Sequence, residues 1–152
     1  MDNPSWIFVL ATVISVLGVA IVYKQFAFSA ERKAQNENDR NSIQKDLAKF
    51  FIKVSIIEMI SIILVVYGFM KLDSFQSTFS NPEIYVPLGI VILFYLLGFM
   101  MISSTTSQIQ LIPNINENIK RSFQQYKQIG IGIISAFPII SVVAITVMGL
   151  AG

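Results

Sequence analysis

Four long apolar runs, residues 6–23, 50–70, 85–102 and 129–150, constrain this chain more than any other feature. Each is roughly 18–22 residues, which at about 1.5 Å per helical residue matches a hydrocarbon core of about 30 Å. A membrane β-strand needs only about 10 residues and alternates strictly, so strands are excluded on length and pattern. Composition agrees with lipid as the solvent: 54% of the 152 residues are hydrophobic and 13% charged, against roughly 25% charged in an average soluble domain. The expected fold is an all-α, multi-pass integral membrane protein of four transmembrane helices, arranged as two tandem hairpins. No basic segment precedes the first run, which is also longer than a typical signal-peptide core, so it reads as a retained span.

Orientation follows from the basic residues. Lys24, Arg32, Lys33, Arg40, Lys45, Lys49 and Lys53 cluster around the first connection, and Lys120, Arg121 and Lys127 around the third. The second connection has only Lys71, and the tails have no Lys or Arg. The positive-inside rule therefore places the first and third connections in the cytoplasm and both termini on the other side. Residues 30–49 hold good helix formers and neither Pro nor Gly, so the spans are expected to extend into the cytoplasm as helix. Residues 71–82 carry Asp, Ser and Asn-Pro turn signals and read as a loop. Trp6 and Tyr23 sit at opposite ends of the first run, where interfacial anchors are common.

The halves repeat. Asn36-Glu37-Asn38-Asp39-Arg40-Asn41-Ser42-Ile43-Gln44 aligns with Asn116-Glu117-Asn118-Ile119-Lys120-Arg121-Ser122-Phe123-Gln124 at an offset of 80 residues. Ser61-Ile62-Ile63-Leu64-Val65-Val66 aligns with Pro138-Ile139-Ile140-Ser141-Val142-Val143 at an offset of 77. Apolar stretches match by chance, but a polar match at the same place in each hairpin does not come so cheaply. Two units follow, residues 1–76 and 77–152, each a hairpin entering and leaving on one side.

Glu58 is the one ionisable side chain deep inside a run, about 12 Å along the helix from Phe50. A charge there costs several kcal/mol, so the carboxyl is expected to spend much of its time protonated. Intramembrane carboxyls commonly bind a proton or a cation; the structural alternative is a bond to a neighbouring helix through Ser103, Ser104 or Ser135. Ser55 and Ser61, a turn either side, are candidate supporting oxygens, and Ser135 is the counterpart of Glu58 at the 77-residue offset. Lys53 lies farther toward the cytoplasm and is expected to snorkel to the headgroups. Pro138 removes one helical hydrogen bond from the fourth span, where a bend is expected. Ala11, Ser15 and Gly18, with Gly130 and Gly132, permit close helix approach.

The segment Glu58-Met59-Ile60-Ser61-Ile62-Ile63-Leu64-Val65-Val66-Tyr67-Gly68-Phe69-Met70 is similar to the second helix of the proteolipid, or c-type, ring subunits of rotary ATPases. Ser135-Ala136-Phe137-Pro138-Ile139-Ile140-Ser141-Val142-Val143 resembles it without the acid. A fused double hairpin retaining one carboxyl looks like the vacuolar-type members. Where that family runs alternating glycines through its first helices, this chain has Gly18, Gly89 and Gly98. The resemblance implies that Glu58 takes up a proton (or Na⁺), crosses lipid neutral as the ring turns, and releases it elsewhere. Each proton crossing 100 mV supplies about 2.3 kcal/mol, so many copies would work together. The implied partners are the bilayer, further copies in a ring and other membrane subunits.

Two other classes compete. A non-catalytic accessory or assembly subunit would use the helical extensions for docking and Glu58 as a structural acid. A small four-helix membrane enzyme is echoed by Glu31-Arg32 and Asn36-Glu37, but these precede the second span by more than ten positions. The chain has no Cys and no His, which removes disulfides, thiolate nucleophiles, imidazole catalysis and Cys/His metal sites. No phosphate loop or nucleophile constellation is present, no cofactor is called for, and membrane topology accounts for the basic residues without nucleic acid.

Overall fold

The computed structural model describes residues 3–36, 40–73, 81–112 and 117–151, and the described chain is helical nearly throughout. Four helices follow in order: α1 (Ser5–Asn36), α2 (Arg40–Asp73), α3 (Asn81–Gln110) and α4 (Glu117–Ala151). All four are long and apolar enough to cross a membrane. They form an all-α membrane protein of two tandem hairpins, as the apolar runs require. The helices outrun the apolar runs at the basic end, so residues 30–36 and 40–49 are helix, as their composition predicts. The expected loop is shorter than read: α2 continues to Asp73 and α3 starts at Asn81. The boundary at residues 76 and 77 lies outside the described residues, as do residues 37–39 and 116 of the repeated polar motif.

Local chemistry starts α1 where it does. The Asn3 side-chain oxygen accepts from the Ser5 backbone N–H at 2.9 Å and from its hydroxyl at 2.6 Å. Pro4 follows, where its missing N–H costs nothing. Asn3 also donates through Nδ2 to the Glu83 carbonyl at 3.3 Å, tying the first turn of α1 to the first turn of α3. The two helices therefore start at the same end. Both α3 and α4 run through an internal proline, Pro87 and Pro138, without losing helix on either side. Each ring removes one backbone donor but leaves the remainder of the ladder in place.

Helix α1 is the hub. It packs against α2, α3 and α4, α3 packs against α4, and α2 touches only α1 and the edge of α4 among the described residues. The cause is visible in its side chains. Ala11, Thr12, Ser15, Val16, Val19, Ala20, Tyr23, Phe26, Ala27 and Ala30 are all buried, spaced three and four apart, and many are small enough to let neighbouring backbones approach. In α2 the buried positions narrow to one stripe, Asp46, Phe50, Val54, Ser61 and Val65, with Ile52, Ile56, Met59, Ile63 and Met70 turned outward. An apolar outer face is what lipid, or another helix, requires.

The buried side chains form two apolar clusters. One, nearer the basic residues, includes Tyr23, Phe26, Phe50, Ile102 and Phe123; the other includes Phe8, Val65, Val91, Phe137 and Ile145. Phe26 lies 5.5 Å from Phe50 and 5.9 Å from Phe123, ring centre to ring centre, joining α1 to α2 and α4. Tyr23 departs from the interfacial role its position suggests. It is fully buried and hydrogen-bonded to Thr106 of α3 at 2.7 Å. Packing supplies the hydroxyl with a partner, so it has no need of the headgroup region.

The hairpins repeat a contact as well as a motif. A β-carbon on Gly18 would lie 2.9 Å from the side chain of Ile57, and one on Gly98 would lie 3.4 Å from that of Ile134. Gly98 follows Gly18 by 80 residues and Ile134 follows Ile57 by 77, the two offsets of the sequence repeat. Gly98 also abuts Val16 of α1 even more closely. Gly98→Ala is therefore expected to destabilise the bundle by about 1–3 kcal/mol, the usual range for overpacking. Gly89→Ala, where no atom lies within 4 Å, is expected to be neutral or slightly stabilising. Thermal unfolding of both variants in one detergent checks the contrast.

Candidate ion-binding site

Between the two apolar clusters lies a belt of polar side chains. Its members come from all four helices: Thr12 and Ser15 from α1, Glu58 and Ser61 from α2, Tyr95 from α3, and Ser135 and Ser141 from α4. In hydrocarbon each of these groups needs a protein partner. The Ser141 hydroxyl donates to the Phe8 carbonyl at 3.1 Å, so its oxygen is left to accept from Thr12 at 2.7 Å. The pair joins α1 to α4. The Ser135 and Tyr95 hydroxyls pair at 3.2 Å between α4 and α3.

Glu58 belongs to this belt. It lies halfway along the span Gln44–Lys71, and its Oε1 accepts from the Ser15 hydroxyl at 2.8 Å. Ser15 is fully buried, whereas Glu58 is half-buried at the edge of the α1–α2 contact. One carboxylate oxygen is thus fixed by α1, and the other has no further hydrogen bond to a described residue. A carboxyl held at one oxygen and free at the other can take up and release a proton without breaking the contact that positions it.

The supporting residues read from the sequence fall in different places. Ser61 is buried but donates to its own helix, to the Ile57 carbonyl at 3.2 Å. Ser55 is exposed on the outer face of α2. Ser135 bonds to the Ile131 carbonyl at 2.7 Å and pairs with Tyr95, not with Glu58. Ser104 is exposed, and the Ser103 hydroxyl is buried with no hydrogen-bond partner among the described residues. The actual partner, Ser15, stood out in the sequence only as a small residue for close packing. A signal was available. Tyr95 follows Ser15 by 80 residues and Ser135 follows Glu58 by 77, so each hairpin places one polar pair between its two helices at corresponding positions. The 80-residue offset, applied to α1 and α3, pairs Ser5 with Tyr85, Ser15 with Tyr95 and Tyr23 with Ser103, so Ser15 is among the positions it marks.

No group of His, Cys, Asp or Glu able to hold a metal occurs among the described residues. Among the described residues the Glu58 carboxyl makes one side-chain hydrogen bond, with Ser15. Ser15→Ala is expected to lower bundle stability by about 0.6 kcal/mol, a typical value for one interhelical hydrogen bond in a membrane. The Ser15→Ala, Glu58→Leu double-mutant cycle, read by unfolding in detergent, checks that the loss belongs to this pair.

No family model, curated protein or solved structure matches this chain.

Proposed function

We propose that this protein is a proton-binding, proteolipid-like subunit of a rotary ATPase membrane ring, with Glu58 as the carrier. The observation that carries the reading is the mid-membrane carboxyl, anchored at one oxygen by Ser15 and placed on a helix that packs almost entirely against one neighbour, α1. A proton carrier must meet a partner surface at one stage and lipid at another, and a side chain on a peripheral helix can do both. In the protonated form the carboxyl is neutral and tolerates lipid; deprotonation leaves a carboxylate that needs a cation from a neighbouring subunit.

The helix arrangement supports assembly of many copies. Helix α4 packs on both α1 and α3, whereas α2 packs on α1 alone apart from its contact with the edge of α4. A second copy presenting its α3 to α2 would give α2 the same two-helix seat that α4 already has. Such a contact joins different faces of identical chains, and head-to-tail contacts of that kind form a ring when the rotation between copies closes. The two polar pairs and two glycine contacts at matching offsets fit a duplicated hairpin that retains one acid.

Native mass spectrometry of the detergent-extracted assembly, with particle images for symmetry, tests the reading. A closed ring at a high integer multiple of 17.0 kDa supports it. A single copy within a mixed complex sinks it and favours an accessory subunit in which Glu58 is structural. Dicyclohexylcarbodiimide, which reacts with protonated carboxyls in apolar surroundings, gives a second readout. Wild type is expected to be modified at Glu58, and Glu58→Gln to keep the assembly mass while losing the modification.

A further inference from the structure

A cavity of about 180 Å³ lies between α1 and α2 at the end of the bundle that carries most of the basic residues. Val22, Phe26 and Phe50 line it with apolar and aromatic surface. Its polar lining comes from Gln25, Ser29, Asp46, Lys49 and Lys53. Asp46 is its only acid and is already compensated. The carboxylate is nearly fully buried and accepts from Lys33 and from the Ser29 hydroxyl, both at 2.7 Å. Lys53 donates to the Gln25 amide oxygen at 3.2 Å, a neutral partner, and Lys49 forms no ion pair among the described residues. Lys49 also lies within electrostatic reach of Asp46, so among the described residues these two ammonium groups share the cavity with one carboxylate that Lys33 already pairs.

We infer that this cavity binds the phosphate diester of an anionic phospholipid. Lys49 and Lys53 meet the phosphate oxygens, and Val22, Phe26 and Phe50 take the first carbons of the acyl chains. Charge alone would suit a free phosphate equally well, but the surroundings favour lipid. The lining straddles the ends of the apolar runs 6–23 and 50–70, with Val22, Phe50 and Lys53 inside them and Gln25, Phe26, Ser29, Asp46 and Lys49 just beyond, the level at which the headgroup region begins. A basic pocket between membrane helices, floored by aromatic rings, presents charge and hydrocarbon contact in the order a phospholipid does. The inference is independent of the role proposed for Glu58, which lies more than one helical turn beyond Lys53.

Native mass spectrometry of delipidated protein, offered equal phosphatidylglycerol and phosphatidylcholine, tests it. Wild type is expected to retain phosphatidylglycerol about thirtyfold over phosphatidylcholine, whose choline cancels the phosphate charge, the effect of two lysines at about 1 kcal/mol each. Lys49→Ala with Lys53→Ala should bring the ratio close to parity, and Lys49→Arg with Lys53→Arg should restore it. Lys120→Ala with Arg121→Ala, removing two charges of α4 that do not line the cavity, should leave it unchanged. Equal retention of the two lipids by wild type overturns the proposal, as does an equal loss in the α4 variant, which would mean diffuse charge attraction. Displacement of phosphatidylglycerol by millimolar inorganic phosphate would assign the cavity to a soluble anion and overturn it too.

Discussion

A helix in hydrocarbon satisfies its own backbone but not its side-chain hydroxyls, and α1 carries three of these, on Thr12, Ser15 and Tyr23, into the centre of the bundle. Each finds its partner on a different helix: Ser141 on α4, Glu58 on α2 and Thr106 on α3. Apolar association is weak in lipid, because the surroundings are as apolar as the helix. Hydrogen bonds and close packing have to specify which helix meets which. The three bonds radiating from α1 do so, and they explain why the most interior helix is also among those richest in small and hydroxylated residues.

Close packing comes from the same choice of residues. Gly18 admits Ile57 and Gly98 admits Val16 and Ile134, so α1 and α3 each accept a branched side chain where a larger residue would hold the helices apart. Toward the basic end the solution changes to aromatic rings, with Phe26 set among Phe50, Phe123 and Tyr126. The cavity between α1 and α2 lies beside two of these rings, Phe26 and Phe50.

The carboxyl of Glu58 combines two demands that usually conflict. It is positioned, through Ser15, by the most buried helix of the bundle, yet it belongs to a helix whose opposite face is Ile, Met and Val turned outward. A fully enclosed acid would be inert, and a fully lipid-facing one would have no fixed geometry. At the edge of a helix pair, one oxygen is held by Ser15 while the other makes no further hydrogen bond to a described residue.

The sequence by itself determined the number of helices, their membrane character and the singular position of Glu58, because apolar length and an isolated charge are local properties that lipid selects directly. It also carried the repeat, since polar residues at matching offsets survive as a pattern in one dimension. Which oxygen holds the carboxyl was decided only by tertiary structure. Ser55 and Ser61 are near Glu58 in sequence, but one faces outward and the other bonds to its own helix, while Ser15, 43 residues away, supplies the donor. Tyr23 was likewise misplaced at the interface, because an end-of-span tyrosine reads the same whether it meets headgroups or a threonine on a neighbouring helix. Helix rotation and crossing set those contacts, and both depend on how four apolar faces fit together, which no single span records.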